Sequence, residues 1–341
     1  MKKLLSLIIS ALISVSTCAC GTSPEYYDND YFVMDAVLTV RLSTDGVSRT
    51  KLTEISAQTN RIAADIEKIL SRTDEDSEVS RFNRDGRIAS PGTALTEVLT
   101  VSQRINDSAS GAFDPTVGAL TDLWNIKNGG PVPSAEKIAE ALTHTGIDKL
   151  TFTADTVSKT DPDLTLDLGG IGKGYAIDKA VGYLASTEVK YGLCSFGSTV
   201  KVFGAKPDGE RFLVTVRDPA DADKTAASFR IAEGAISTSG DYERYFDENG
   251  IRYHHILDPE TGYPVSNGVH SVTVYAASAA EADALSTALF VLGPEKTAEL
   301  YHSGDLTFEA MTVTDGGIYL TDGLKNGDIV KIDENEYKII D

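Results

Sequence analysis

The sequence predicts an α+β fold, because helical and strand-like stretches mix without the regular strand–helix–strand order of a parallel sheet. Three observations carry this. The chain has 341 residues, 41% hydrophobic and 24% charged, an ordinary globular composition with enough length for one large domain or two intimate ones. Amphipathic stretches of helical period alternate irregularly with short stretches of period two. Gly- and Asp-rich turns separate them, and there is no repeat, low-complexity block or obvious linker.

The first segment stands apart from this body. Met1-Lys2-Lys3 is a short basic start, and Leu4 to Val15 is apolar with a few serines. That is the length of a secretory signal core and is short for a bilayer span. Ser16-Thr17-Cys18-Ala19-Cys20-Gly21 comes next, and a cysteine here resembles a bacterial lipoprotein cleavage site. We expect a signal peptide over residues 1–19 and lipidation at Cys20, after the small Ala19. Cys18 is the rival site, and plain secretion is the alternative. Residues 20–30 then read as a polar tether and 31–341 as the folded body. The expected location is the cell membrane, lipid-anchored, facing the extracytoplasmic side. Cys194 is then the one other cysteine, which leaves no disulfide framework and reads as a small core residue. The formal charge is −20, from 31 basic and 51 acidic residues. No basic face offers itself to nucleic acid. A phosphate ligand is still compatible with such a surface when a metal stands between them.

Along the body, Tyr31 to Arg41 reads as a first strand. Leu52, Ile55, Ile62, Ile66 and Ile69 have helical spacing, so Lys51 to Leu70 is a helix. Ser71 to Gly86 is charged and turn-rich. Further helices are expected over about Ala94 to Ser108 and, after the breaker Gly129-Gly130-Pro131-Val132-Pro133, over Ala135 to Leu142. Leu164 to Leu168 alternates leucines with polar residues, as a half-buried strand does. The glycine run Gly169 to Gly174 ends it and opens a helix through Ile177, Val181 and Leu184. Short strands fill Cys194 to Tyr253, and Val272 to Ala276 is another. Ser278 with Glu281 is a capping box for a helix that Gly293-Pro294 stops. A strand-and-turn tail is expected after it.

Three constellations have chemical potential. Asp283, Ser286 and Thr287 put three oxygen-bearing side chains on one helix face, with Ala282, Leu285, Leu289 and Leu292 on the core face. Hard oxygens with one carboxylate suit Mg²⁺, which shares its shell with water and phosphate; a plain solvent-facing polar stripe is the other reading. Asp167 precedes a glycine turn that opens a helix, where backbone N–H groups and the dipole favour phosphate oxygens. The spacing matches neither the Walker loop nor the dinucleotide fingerprint, and a structural turn is the alternative. His254 and His255 point to opposite faces if extended, and one of them is a base candidate near neutral pH. No zinc spacing and no Gly-x-Ser-x-Gly elbow is present.

Taken in order, these segments resemble the ApbE family, the FAD:protein FMN transferases. The matching stretches are Ser77 to Asn83, Gly111 to Leu120 with Leu123-Trp124, Asp167 to Ala176, Thr238 to Tyr242, His255 to Pro259 with Thr261 to Pro264, and Glu281 to Leu285 with Thr287 to Leu289. They span about Met34 to Gly293. The resemblance implies an ApbE-like fold of mixed sheets packed with helices, one compact body of two intimate subdomains. It implies Mg²⁺, with FAD as substrate and FMN donor, and transfer of FMN to a Ser or Thr hydroxyl of an exported partner protein with release of AMP.

Residue by residue, it implies His255 as the catalytic base or acceptor-orienting group. Asp283, Ser286 and Thr287 would bind the metal through side-chain oxygens and Gly170 through its carbonyl. Met34, Thr73, Ala112, Phe113, Asp114 and Leu257 would line the flavin site, and Asp167 and Lys173 would contact FAD. The chain departs from the family at Asp35, where Gly is usual, at Thr73, where some members carry Tyr, and at Ser195-Phe196-Gly197-Ser198, which replaces a Gly-Gly-Asn turn. Family acceptors resemble Asp-x-x-Ser/Thr-Gly-Ala-Ser/Thr. Asp107 to Phe113 matches all but the last position, which raises Ser110 as a self-modification site. Two other readings use the same residues: an FAD pyrophosphatase giving FMN and AMP, and a non-catalytic FAD-binding lipoprotein.

Overall fold

The computed structural model describes residues 25–332 and 338–340. The expected signal segment and the expected lipidation sites Cys18 and Cys20 lie outside the described residues. No helix among the described residues is long and apolar enough to cross a membrane.

The folded body begins earlier than the tether reading allows. Tyr26–Val33 and Ala36–Ser43 pair as an antiparallel hairpin, where the sequence predicts a tether and then one strand from Tyr31. The turn residues Met34 and Asp35 take φ of 50° and 58°, the two-residue geometry that matches strand twist. Neither residue is the usual Gly or Asn, so the turn left no signal. The Met34 N–H donates to Glu67 Oε1 at 2.9 Å, which fixes the turn against the first helix.

The helices in chain order are α1 (Arg49–Leu70), α2 (Glu78–Asp85), α3 (Thr93–Ser108), α4 (Gly118–Trp124), α5 (Ala135–Thr143), α6 (Gly172–Leu184) and α7 (Ala279–Ser303). The apolar spacing of α1 is realised: Leu52, Ile55, Ile66 and Leu70 are buried. Helix α2 lies inside the stretch expected to be turns. Its apolar content is only Val79 and Phe82, both fully buried, but Ser77 caps it and Gly86 ends it at φ 76°, as cap chemistry requires.

Among the described residues, nine strands form the main sheet. Its order is Tyr26–Val33, Ala36–Ser43, Gly192–Phe196, Thr199–Phe203, Gly234–Gly240, Val269–Ala276, Glu309–Thr314, Gly317–Leu320 and Ile339–Ile340. Alternation along the strands splits the core into two. Cys194, Ala235, Val272 and Val274 face the helices. Leu193, Val200, Ile236 and Met311 face a second sheet, Phe212–Arg217, Thr225–Ile231 and Val330–Ile332. A third, small cluster of Leu120, Trp124, Ile126, Ile138 and Leu257 packs under a two-stranded ribbon, Tyr245–Glu248 with Ile251–His254. Cys194 is fully buried and free, and burial pushes its thiol up to about 12.

Two more expectations change. Leu164–Leu168 is extended but joins no sheet; Thr165 makes one isolated bridge to Val117. The Asn83 amide takes the place of a strand partner, accepting from Leu166 N at 2.7 Å and donating to Leu166 O at 3.0 Å. The helix from Ser278 does break at Gly293, with φ 74° and ψ 176°. It resumes at Pro294 and runs to Ser303, because proline is well suited to a first helical turn.

Candidate functional site

The site lies where the entrance of α6 meets the first turns of α7. Gly174 permits that meeting: a Cβ there would sit 2.2 Å from the Ala279 carbonyl oxygen and 2.8 Å from Asp283 Cβ. A carboxylate on α6 locks the start of α7. Asp178 accepts from Ser278 Oγ, Ala279 N and Ala280 N and pairs with Lys201. The capping box is therefore only half formed. Ser278 Oγ accepts from Glu281 N, but the Glu281 carboxylate pairs with Arg104.

Helix α7 is not a surface helix with a solvent-facing polar stripe. The main sheet covers one side and α3 and α6 the other, so Asp283 and Ser286 are buried along with Leu285 and Leu289. A buried carboxylate needs partners. Asp283 Oδ2 accepts from Gly174 N at 3.0 Å, and Oδ1 accepts from Thr199 Oγ1 at 3.3 Å and Ser237 Oγ at 3.2 Å. All three donors are neutral. They use three of about four lone-pair directions, leaving one on Oδ2.

Further hydroxyls gather one turn along α7, where Ser286 and Thr287 bond to the Asp283 carbonyl. Ser239 Oγ lies 2.7 Å from Ser286 Oγ and 3.4 Å from Thr287 Oγ1. A Cβ on Gly170 would fall 3.4 Å from Thr287 Oγ1 and 3.1 Å from the Phe113 ring. The structure thus brings Gly170, Asp283, Ser286 and Thr287 together, with Phe113 beside them. This set fits Mg²⁺: hard oxygens, one buried carboxylate without a cationic partner, and a free lone pair. Ser286 is fully buried and its hydroxyl is spent on Ser239 and the Asp283 carbonyl. Its place is behind Thr287 rather than at the opening.

The flavin-site residues divide. Met34 stands over the α6 entrance, its Cε 3.4 Å from where a Gly172 Cβ would be. Ala112 and Phe113 are buried in the helix-side core. The Asp114 carboxylate instead braces its own loop, accepting from Thr116 N, Thr116 Oγ1 and Ile147 N; burial raises its carboxyl above the ordinary value. Leu257 packs into the small cluster. Asp167 accepts from Gly169 N at 2.9 Å and pairs with Arg72 at 3.3 Å. Thr73 is exposed and bonds only to Ser71, but it adjoins Arg72. Lys173 donates to Gly169 O, and its aliphatic stem passes Gly197. Ser110 is exposed in a left-handed turn, with φ 52° and then 82° at Gly111.

The paired histidines separate as an extended segment demands. His254 turns inward against Phe290, with Nε2 2.8 Å from Val265 O. His255 turns outward and is solvent-exposed, though protein rings it on most sides. Its N–H donates to Arg244 O at 3.1 Å, and its Nδ1 is 3.3 Å from the same oxygen. Surrounding protein, then the Arg244 guanidinium, then His254, and last Lys173 hold the imidazole down to about 4. It is neutral at pH 7 and able to accept a proton.

Sequence reasoning missed Glu243 and Arg244. Both lie on the turn after Gly240, and with Lys127, Ile126 and Tyr245 they line a notch of about 260 Å³. Surrounding protein raises the Glu243 carboxyl, and Lys173 foremost opposes the rise. Their signal was adjacency to Thr238–Tyr242, a stretch already singled out. The hydroxyls of Ser237 and Ser239 were also legible, as alternate residues on one strand face. Asp35, at the departure from Gly, pairs with Lys127 across this mouth, which holds its carboxyl below the usual range. A larger groove of about 650 Å³ between α3 and α6 touches no predicted site residue. His144, Asp161 and Asp163 also gather, with ligand atoms within 4.8 Å, but Asp161 is already engaged by a hydrogen bond with His144 and by the Lys149 ammonium.

The chain resembles known proteins over most of its length. The ApbE family model matches residues 34–312. A Haemophilus influenzae protein named FAD:protein FMN transferase is 31% identical over 329 residues, covering 93% of this chain and 95% of its own. A Vibrio cholerae protein of the same name is 35% identical over 281 residues, covering 79% and 81%. The crystal structure of the ApbE protein from Thermotoga maritima superposes with a TM-score of 0.81 at 33% identity, covering 89% of this chain and 99% of that one. The flavin transferase ApbE from Vibrio cholerae gives 0.78 at 29% identity, covering 89% and 99%. With a match across most of the body and relatives of this similarity, the chain belongs to the ApbE family.

Proposed function

We propose that this protein transfers FMN from FAD to a Ser or Thr hydroxyl of an exported flavoprotein subunit, releasing AMP, and that Mg²⁺ serves the reaction. The observation that supports this is Lys173, which donates to the Gly169 carbonyl at the α6 entrance beside Gly170 and whose charge also bears on the neutral, solvent-exposed His255. The enzyme is a transferase, as its curated relatives are named.

In this reading the acceptor hydroxyl gives its proton to His255 Nε2 as its oxygen bonds to the FMN-side phosphorus. The bond from that phosphorus to the bridging oxygen breaks, and AMP departs. Asp283, Thr287 and the Gly170 carbonyl would hold Mg²⁺, which neutralises diphosphate charge and the charge developing on the leaving group. The N–H groups at the α6 entrance and the Lys173 ammonium favour phosphate oxygens. Arg244 adds positive charge at the mouth and keeps His255 unprotonated. Phe113 and Met34 supply apolar surface for the isoalloxazine ring. The acceptor segment we infer is Asp-x-x-Ser/Thr-Gly-Ala-Ser/Thr.

We also propose export and anchoring through a lipid on Cys20. That places the site on the extracytoplasmic side, with its acceptors. A Cys20→Ser variant should leave the membrane fraction; retention there would argue against this anchor.

The test uses the protein from Gly21 with FAD, Mg²⁺ and an acceptor carrying Asp-x-x-Thr-Gly-Ala-Thr. An FMN-sized gain in acceptor mass, matched by AMP and abolished by EDTA, is expected. AMP without labelling would replace this reading with the pyrophosphatase. Bound FAD with neither product would leave a flavin-binding lipoprotein.

A further inference from the structure

His270 is held between two carboxylates. Its Nδ1 lies 2.9 Å from Asp241 Oδ2, and its Nε2 lies 2.9 Å from Asp315 Oδ1. The Asp241 N–H also donates to the His270 carbonyl at 3.1 Å. Both ring nitrogens donate at once only in the imidazolium form. The Asp241 bond first, and then Asp315, against the cost of burial, raises the group to about 9, so the ring is charged at neutral pH. Asp241 comes from the turn after the Gly234–Gly240 strand and Asp315 from the turn after Glu309–Thr314. Those two carboxylates are the charged groups that face the ring.

The clamp reaches the candidate base through the chain itself. Asp241 opens the turn that ends at Arg244, just before the ribbon. The Arg244 carbonyl accepts the His255 backbone N–H at 3.1 Å and faces His255 Nδ1 at 3.3 Å. A neutral histidine whose Nδ1–H donates to a carbonyl presents Nε2 as a free lone pair. The position of one carbonyl therefore decides which nitrogen of His255 can take a proton. That carbonyl stands on a turn whose other end is pinned by His270.

We propose that His270 is a positioning residue for His255, acting through Asp241 and the Arg244 carbonyl to set the ring's tautomer and direction. This rests on the reading of His255 as the base. Above about pH 9 the His270 ring loses a proton, and one nitrogen then turns a lone pair toward a carboxylate. That contact repels, the turn loosens, and His255 loses its orientation. The sign is definite. The group is raised in the fold above its ordinary 6.5, so its contribution to stability is full below pH 6.5, and the clamp itself is lost as pH rises through about 9.

The experiment is the pH dependence of kcat for wild type, Asp315→Asn and His270→Gln, with FAD, Mg²⁺ and acceptor. The wild type should show an alkaline limb near 9. Asp315 touches no reacting group, so Asp315→Asn should keep its plateau within about twofold. Its limb should move down by about half a unit or more, since one of two stabilising charges is gone. Asp315→Glu should restore it. His270→Gln should lower kcat about tenfold, abolish the limb and leave KM for FAD nearly unchanged. Proton NMR titration of the His270 ring gives the same midpoints without turnover. An alkaline limb that stays put in Asp315→Asn while the ring titration shifts overturns the proposal, as does an unaltered profile in His270→Gln. His255→Ala separates the two readings. Full activity there removes the base assignment itself, whereas lost activity with an unmoved limb in Asp315→Asn removes the clamp alone.

Discussion

His254 and His255 occupy adjacent positions and do different work because successive side chains of an extended segment leave on opposite faces. His254 is buried and bonds to a carbonyl; His255 is exposed. Arg244 couples to the second of them by charge. His255 must be neutral to act as a base, and it sits near 4 rather than at its ordinary 6.5. The acid limb of the kcat profile is therefore expected well below pH 6.5. Arg244→Gln keeps the carbonyl but removes the guanidinium, so the limb should rise toward neutrality by several tenths of a unit. A limb that stays or falls would mean that Arg244 does not set the protonation of His255. His255→Ala should lower transfer by about 10²- to 10⁴-fold, the usual share of a general base.

Helices α6 and α7 touch through a glycine, and the site depends on that contact. The Gly174 N–H bonds to Asp283 Oδ2, and a Cβ at Gly174 collides with the Ala279 carbonyl and Asp283 Cβ. Neither neighbour is the far end of a flexible side chain, so the helices must part. Gly174→Ala is expected to cost about 1–3 kcal/mol, the usual range for overpacking. It should also weaken Mg²⁺ affinity more than it changes FAD binding, because Asp283 moves with α7. Urea denaturation and a Mg²⁺ titration of activity check the two effects; unchanged stability would show that the helices have room to spare. The sequence exposed these helices well but their relation poorly. The 3.6-residue period of Leu52 to Leu70 made α1 readable, and the glycine run announced α6. Nothing local says that α7 is enclosed on both sides, so Asp283 and Ser286 fitted a surface stripe as well as a buried site. The half-formed capping box has the same origin, since Glu281 turns to Arg104, far away in the chain.

At the scale of the whole molecule, the site is assembled from distant parts of the chain. Met34 comes from the first hairpin, Gly170 and Lys173 from the α6 entrance, Ser237 and Ser239 from a central strand, His255 from the end of the ribbon, and Asp283 from α7. Motifs read in chain order named most of these as candidates, because each motif keeps its order in the chain. What no motif carried was the tertiary substitution of one partner for another: Asn83 standing in for a strand beside Leu166, or Asp178 taking the α7 N–H groups. Bringing such separate elements to one carboxylate has a thermodynamic consequence. The unfolded chain has no such site, so a metal held by Asp283, Thr287 and Gly170 binds the native state alone. Its free energy is then added to folding, about 2.7 kcal/mol at a hundredfold excess over Kd. Thermal unfolding of the wild type should therefore rise by several degrees with Mg²⁺, and Asp283→Ala should show no rise when compared with its own metal-free form. The His144–Asp161–Asp163 group provides the control. Asp161→Asn should keep the full Mg²⁺ shift, because His144 and Lys149 already satisfy that carboxylate. A shift that survives Asp283→Ala and disappears in Asp161→Asn would move the metal to the second group and leave the Asp283 pocket as a purely structural knot of hydroxyls.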